Sequence, residues 1–161
     1  KTEEPLWLVL IGHGTFDGRV ARFNLRGPDL SADAAAELLA VSQRPIAVIN
    51  CASCSAPFIN ELSGPNRIIV TGTKDGNQVQ FSRFGGFLAE AVGSLEADID
   101  RDGQTSLMEA WLFSAQRVEE YYKFLLQHHF YLVQCKLYIM QLKHMYNHFQ
   151  MHFQENYLIA M

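Results

Sequence analysis

The chain has 161 residues, 48% hydrophobic and 19% charged, with 13 Lys and Arg against 17 Asp and Glu, for a formal charge of −4. Length and balance of this kind predict one ordinary soluble domain, and they exclude the clustered basic surface that a nucleic-acid backbone or an anionic membrane demands of its partner. The apolar run from Leu6 to Ile11 is far too short to span a bilayer, and no basic segment with an apolar core precedes it, so neither a membrane span nor a signal peptide is expected. The chain opens on Lys1, as a processed or excised piece of something longer would. Cys51, Cys54 and Cys135 are too few and too unevenly spaced for a disulfide framework and read as thiols.

In chain order, Leu6 to Gly12 (LWLVLIG) is a wholly apolar run ended by glycine, the pattern of a strand buried on both faces. Ser31 is a good N-cap for the helix SADAAAELLAV, with Asp33 in its first turn where it complements the positive end of the helix. Pro45 restarts the chain. Ile46 to Asn50 (IAVIN) and Arg67 to Thr73 (RIIVTGT) read as further strands, the latter after the turn residues Ser63, Gly64 and Pro65, and Phe84 to Val92 reads as a second helix. Strands alternating with helices at this spacing predict an α/β fold with a mainly parallel sheet, covered on both faces and joined by right-handed crossovers, its function gathered at the carboxyl ends of the strands.

The first strand ends in Gly12-His13-Gly14 and the second in Asn50-Cys51-Ala52-Ser53-Cys54-Ser55. If the two strands are neighbours, His13 and Cys51 emerge side by side. A thiol attacks only as thiolate, and a nearby imidazole can take its proton and later protonate the leaving group. The Gly14 and Cys51 amides could then hold a developing oxyanion. The same residues also read as a structural histidine and small buried thiols filling apolar space.

These segments resemble the caspase-like cysteine peptidases, the clan of caspases, legumains and gingipains, and within it a bacterial group often carried on large exported chains. The resemblance rests on IGHGTFDGRVARFNLRGPDLS, INCASCSAPFINELSGPNRIIVTGTKDG, RFGGFLAEAV and DIDRDGQTSLMEAWLFSAQRVEEYY, together roughly Pro5 to Lys123. It implies a caspase-like three-layer α/β/α sandwich, a cysteine endopeptidase with a His13/Cys51 dyad and a peptide or protein substrate, or a catalytically inactive scaffold or interaction module of the same fold in an exported protein. Cys51, Ser53 and Ser55 fit the Cys-x-Ser-x-Ser spacing of legumain-like nucleophile loops. Cys54 departs from the pattern as an extra thiol and an alternative nucleophile. Asp17, Arg19, Asn24, Arg26 and Asp29 could line a specificity pocket, or simply be solvated.

Asp98-Ile99-Asp100-Arg101-Asp102-Gly103-Gln104-Thr105-Ser106-Leu107-Met108-Glu109 matches the EF-hand pattern of three alternating acids, a glycine and a terminal Glu. In this reading Asp98, Asp100 and Asp102 supply carboxylates, Gln104 its carbonyl, Ser106 a bridging water and Glu109 both oxygens to one structural calcium ion. Thr105 stands where a branched aliphatic usually pairs two loops, so a lone loop is expected. Phe84 to Ala97 would be the entering helix, and Leu107, Trp111, Ala115, Val118 and Tyr122 an apolar stripe on the exiting one. Affinity suited to extracellular calcium favours an extracellular or periplasmic location.

From Phe124 to Met161 only Lys136, Lys143 and Glu155 are fully charged, and Phe, Tyr, Leu, Met, His and Gln crowd together. This predicts a helical appendage of doubtful origin, either foreign to the domain or packed against it or a partner. His144, His148 and His152 recur every four residues, and three successive turns span about 12 Å, so at most a neighbouring pair could share a zinc or nickel ion. The expected divisions are residues 1–97 (α/β core), 98–123 (acidic loop and exiting helix) and 124–161 (appendage).

Overall fold

A computed structural model describes residues 4–129, and the chain divides into two compact units, Lys1–Val118 and Glu119–Met161. In the first unit, β1 (Leu6–Leu10), β5 (Ile46–Asn50) and β6 (Arg67–Thr71) form a parallel sheet in the order β1-β5-β6. β2 (Gly14–Phe16), β3 (Ala21–Phe23) and β4 (Leu30–Ser31) form a small antiparallel sheet between β1 and helix α1 (Ala32–Ala40). Two further helices follow β5 and β6 in turn, α2 (Phe58–Leu62) and α3 (Phe84–Val92), and residues 107–118 form α4.

The central strand β5 is buried at all five positions, as a strand covered on both faces must be. Its alternate side chains divide the core. Ile46 and Val48 pack with Ala32, Ala35 and Leu39 of α1 and Phe58 and Leu62 of α2, whereas Ile49 joins Val70, Phe84, Leu88 and Ala91 on the other side. Each large apolar side chain buried this way contributes about 1.5–3 kcal/mol. The expectation that β1 is buried on both faces fails: Trp7 and Val9 are 54% and 50% exposed while Leu10 is buried. β1 is an edge strand, and the α3 cluster reaches only β5 and β6 on that face.

Two element ends and one stretch of short strands differ from the sequence expectation. β6 stops at Thr71, and Thr71 Oγ1 donates to Thr73 O as the chain turns away. α3 ends at Val92, as the helix reading of Phe84 to Val92 has it and short of the Ala97 expected of an entering helix, because Gly93 breaks it and the following amides turn back, Gly93 N to Glu90 O and Ser94 N to Ala91 O. The polar stretch after His13, for which the sequence shows no element, carries the short strands β2–β4. Ser31 does cap α1, its Oγ accepting from Ala34 N at 3.4 Å. On α4 the inward face is carried by Ala110 and Ser114, at 1% and 0% exposure, while Trp111 of the expected stripe is 40% exposed.

In the second unit residues 119–129 are helical, with a Lys123 to Glu119 ion pair at 2.7 Å and exposed Phe124, Leu125 and Leu126. Cys135, His144, His148 and His152 lie outside the described residues. Among the described residues no helix is long and apolar enough to cross a membrane.

Candidate functional site

β1 and β5 are paired in parallel with Leu10 opposite Asn50, so the segments carrying His13 and Cys51 leave adjacent strands at the same end of the sheet. The two segments are then joined directly. Ser53 Oγ accepts from Gly14 N and donates to Gly14 O, both at 3.0 Å, and all of this is buried. Gly14 has to be glycine, since a Cβ there would collide with the Ser53 carbonyl oxygen and stand 3.0 Å from Arg22 O.

The Cys51 loop is built from its neighbours outward. Asn50, wholly buried, turns its Oδ1 back to accept from Ala52 N at 3.1 Å, bending the chain just past the strand. Ser55 Oγ meets Thr73 Oγ1 at 3.2 Å, and Ala56 N donates to Thr73 Oγ1 at 3.0 Å. Ser53 therefore ties the loop to the β1 side and Ser55 ties it to the β6 side, which gives both serines of the Cys-x-Ser-x-Ser spacing a structural task. Ser82 anchors the far wall, donating to Gly72 O at 2.6 Å and accepting from Phe84 N at 3.2 Å.

Cys51 is 5% exposed. It lies between Gly72 and Gly85: a Cβ at Gly85 would stand 2.9 Å from its Cβ and 3.1 Å from its Sγ, and one at Gly72 3.2 Å from its Cα. The thiol thus rests against the first turn of α3, where the helix end favours a thiolate, but burial pushes the Cys51 thiol above its ordinary pKa. His13 is exposed and its ring meets Phe81 edge-on at 6.1 Å. No hydrogen bond joins its imidazole to either thiol among the described residues. Cys54 is 1% exposed with φ 54°, its amide donating to Gln78 O at 3.0 Å and its Sγ 3.7 Å from the same oxygen. Burial, and then the Asp75 carboxylate, push its thiol up as well. Both thiols are free.

These shifts have a consequence in alkaline solution. The unfolded thiols ionise first, so the folded state holds more protons there; the stability from keeping Cys51 and Cys54 neutral is intact below the ordinary value of 9.0 and drains away as pH rises beyond it. Thermal melts from pH 8 to 10.5 should show Tm falling with pH, and falling less steeply in Cys51→Ala; parallel curves would refute this.

Two assignments from the sequence meet a different geometry. The Cys51 amide donates to Leu10 O at 2.9 Å as the end of the parallel ladder, and the Gly14 amide donates to Ser53 Oγ, so neither is available to an oxyanion in this conformation. The expected specificity residues also have local work. Asp17 Oδ1 accepts from the Arg19 and Val20 amides at 2.9 and 2.8 Å and its Oδ2 pairs with Arg22 at 2.7 Å, closing the β2–β3 turn; these contacts hold its carboxyl well below the usual range. Asp29 accepts from Leu25 N, and Asn24 N donates to His13 O. Arg26 is exposed. Of the five, Arg19 lines a cleft of about 310 Å³ with Asp33, Asn60 and Glu61. Gly72, Thr73, Ser82 and Gly85 were not legible as site residues, although paired glycines opening a helix in RFGGF are a signal of close approach.

In the acidic loop, Asp98, Asp100 and Asp102 bring one carboxylate oxygen each to within 4.8 Å of one another, and the three could hold a metal ion. The loop shapes itself around them. Asp98 accepts from Asp102 N at 3.1 Å and Gly103 N at 2.9 Å, and Asp102 accepts from Gln104 N at 2.8 Å, with Gly103 at φ +88°. Glu109 is not part of that cluster. Its Oε2 accepts from Ser106 N at 2.8 Å while Ser106 Oγ accepts from Glu109 N at 3.3 Å, a reciprocal capping box at the start of α4. Its Oε1 accepts from the Ile99 and Asp100 amides at 2.8 and 3.1 Å. The Ser106 contacts above all hold the Glu109 carboxyl at about 2. Ser106 and Glu109, expected as ligands, act here as the helix cap, and the residues between Val92 and Asp98 are turns where an EF-hand would have its entering helix.

Comparison with known proteins finds no matching family model, no matching characterised protein and no matching solved structure.

Proposed function

We propose that the first unit is a caspase-like cysteine peptidase module in a resting conformation, with Cys51 as nucleophile and His13 as acid and base. The observation that carries this reading is the parallel β1–β5 register, which delivers His13 and Cys51 from adjacent strand ends. In the working form His13 accepts the thiol proton and the thiolate bonds to the peptide carbonyl carbon. The C–N bond then breaks as the imidazolium protonates the amine, and water hydrolyses the thioester. To reach that form the Cys51 side chain must turn out from under Gly85, and His13 must leave Phe81. Cys54, held against Gln78, is the weaker nucleophile.

A second reading has its own support. The buried thiol and the two committed amides suit a catalytically silent module that keeps the fold for binding within a larger exported protein. Labelling with a panel of peptide acyloxymethylketones separates the two. The peptidase reading expects labelling that drops about 10⁴-fold or more in Cys51→Ala and persists in Cys54→Ala. Absence of labelling that depends on Cys51 refutes the peptidase reading as assigned, and dependence on Cys54 alone reassigns the nucleophile.

The Asp98/Asp100/Asp102 cluster is proposed as a calcium site, since its all-oxygen, flexible donor set suits a hard cation. The Gln104 carbonyl completes the set, and Glu109 already braces the loop. Calcium titration by calorimetry should give a heat that Asp98→Ala abolishes; equal heats remove the site.

A further inference from the structure

We infer that Ser53 is a positioning residue that sets where His13 stands relative to Cys51, an inference that rests on the peptidase reading above for its catalytic meaning but not for its structural test. A serine hydroxyl has one hydrogen to donate and lone pairs to accept, and Ser53, 2% exposed, uses both on a single residue: it takes the Gly14 N–H and gives its own hydrogen to the Gly14 carbonyl. Gly14 immediately follows His13, and Ser53 is two residues past Cys51. One side chain therefore bridges the two segments that bear the proposed dyad, across 39 positions of sequence.

Three observations make this a positional constraint and not a general packing contact. Gly14 is buried, and the absence of a side chain lets its backbone lie against the Ser53 carbonyl, so the segments meet main chain to main chain. The next tie on the His13 side is Asn24 N donating to the His13 carbonyl at 2.9 Å, which holds the peptide but leaves the direction toward Cys51 to Ser53. On its other side the Cys51 loop is fixed independently through Ser55 and Thr73, so removing the Ser53 hydroxyl unties the His13 segment from that loop, leaving it paired only to β3, while the loop keeps its anchor. Loss of both Gly14 partners in a buried place leaves two unpaired main-chain groups, and the segment must shift to find others.

The test uses the full chain and compares wild type, Ser53→Ala, Ser53→Thr and Ser55→Ala by amide hydrogen exchange at Gly14 and by the His13 ring-proton shifts, which report the edge-on Phe81 contact. Ser53→Ala should speed Gly14 exchange by about 10- to 100-fold and move the His13 ring resonances, as local opening replaces the clamp. Ser53→Thr, which keeps the hydroxyl, should restore both, and Ser55→Ala should leave Gly14 within about threefold of wild type. If Ser53→Ala fails to fold, a rapidly exchanging Gly14 in the wild-type chain overturns the inference and a protected one, retained in Ser53→Thr, supports it. Unchanged Gly14 exchange and His13 shifts in a folded Ser53→Ala, or equal acceleration in Ser55→Ala, overturn it whatever the enzymology shows. Where the wild type labels at Cys51, Ser53→Ala should lower the maximal inactivation rate about 10- to 100-fold with little change in the half-saturating probe concentration. Normal labelling alongside lost Gly14 protection overturns the positioning role alone, while an unlabelled wild type removes the peptidase reading and leaves the structural readouts decisive.

Discussion

Phe58→Ala should destabilise the chain by about 3–5 kcal/mol, the range for deleting a large aromatic from a packed core. Phe58 is 1% exposed and belongs with Leu10, Val48 and Leu62 to the cluster between the parallel sheet and helices α1 and α2. The helix it opens has five residues and no side-chain cap at Pro57, far below the length at which a helix stands by itself. Phe58 and Leu62 are what hold it. Because Phe58 N also donates to Ser55 O at 3.0 Å, the substitution should loosen the end of the Cys51 loop and speed alkylation of the buried thiol. Urea denaturation reads the first effect; a loss under about 1 kcal/mol would show that the core can close over the missing ring.

Gly14→Ala should cost about 3 kcal/mol, at the upper end of what overpacking usually costs, because the obstacle is backbone on both sides. The added methyl would meet Ser53 O and Arg22 O, the first in the Cys51 loop and the second in β3. Neither can swing aside as a side-chain tip can. The shift would carry His13 with it, so proposed dyad chemistry and stability should fall together. Gly86→Ala is the internal control: nothing lies within 4 Å of a Cβ there, the position is helical, and alanine should stabilise α3 by about 0.5–1 kcal/mol. If Gly14→Ala melts within about 0.5 kcal/mol of wild type while Gly86→Ala behaves as stated, the two segments are not in main-chain contact.

What could be read from the residues was what local pattern encodes. IAVIN is apolar at four of five positions and is the central strand; Ser31 is a side chain whose only helical use is at the cap, and it is the cap of α1. The small antiparallel sheet was not readable, because β2, β3 and β4 are two or three residues each and their residues, GTF, ARF and LS, show no alternation long enough to register. α2 was hidden for the same reason, being a single turn and a half created by burial of Phe58 and Leu62. At the acidic loop, Ser106-x-x-Glu109 carried two meanings at once, ion ligands and a capping box, and only the position of the Glu109 oxygens against the Ile99, Asp100 and Ser106 amides separates them.

Local pattern thus specifies the three strands of the parallel sheet, helices α1 and α3, the alternation that makes the sheet parallel, and the groups able to do chemistry: the thiols, the histidine beside the first strand, and the acids of the loop from Asp98 to Glu109. These follow from periodicity, capping and residue type, which act over a few neighbours. Only long-range packing puts Cys51 under Gly85, where burial raises the pKa of its thiol, and engages the Gly14 and Cys51 amides in other bonds. It also decided that Ser53 bridges the His13 and Cys51 segments. Each of these depends on groups brought together from distant parts of the chain, where packing and hydrogen-bond satisfaction, and not local preference, choose the partner.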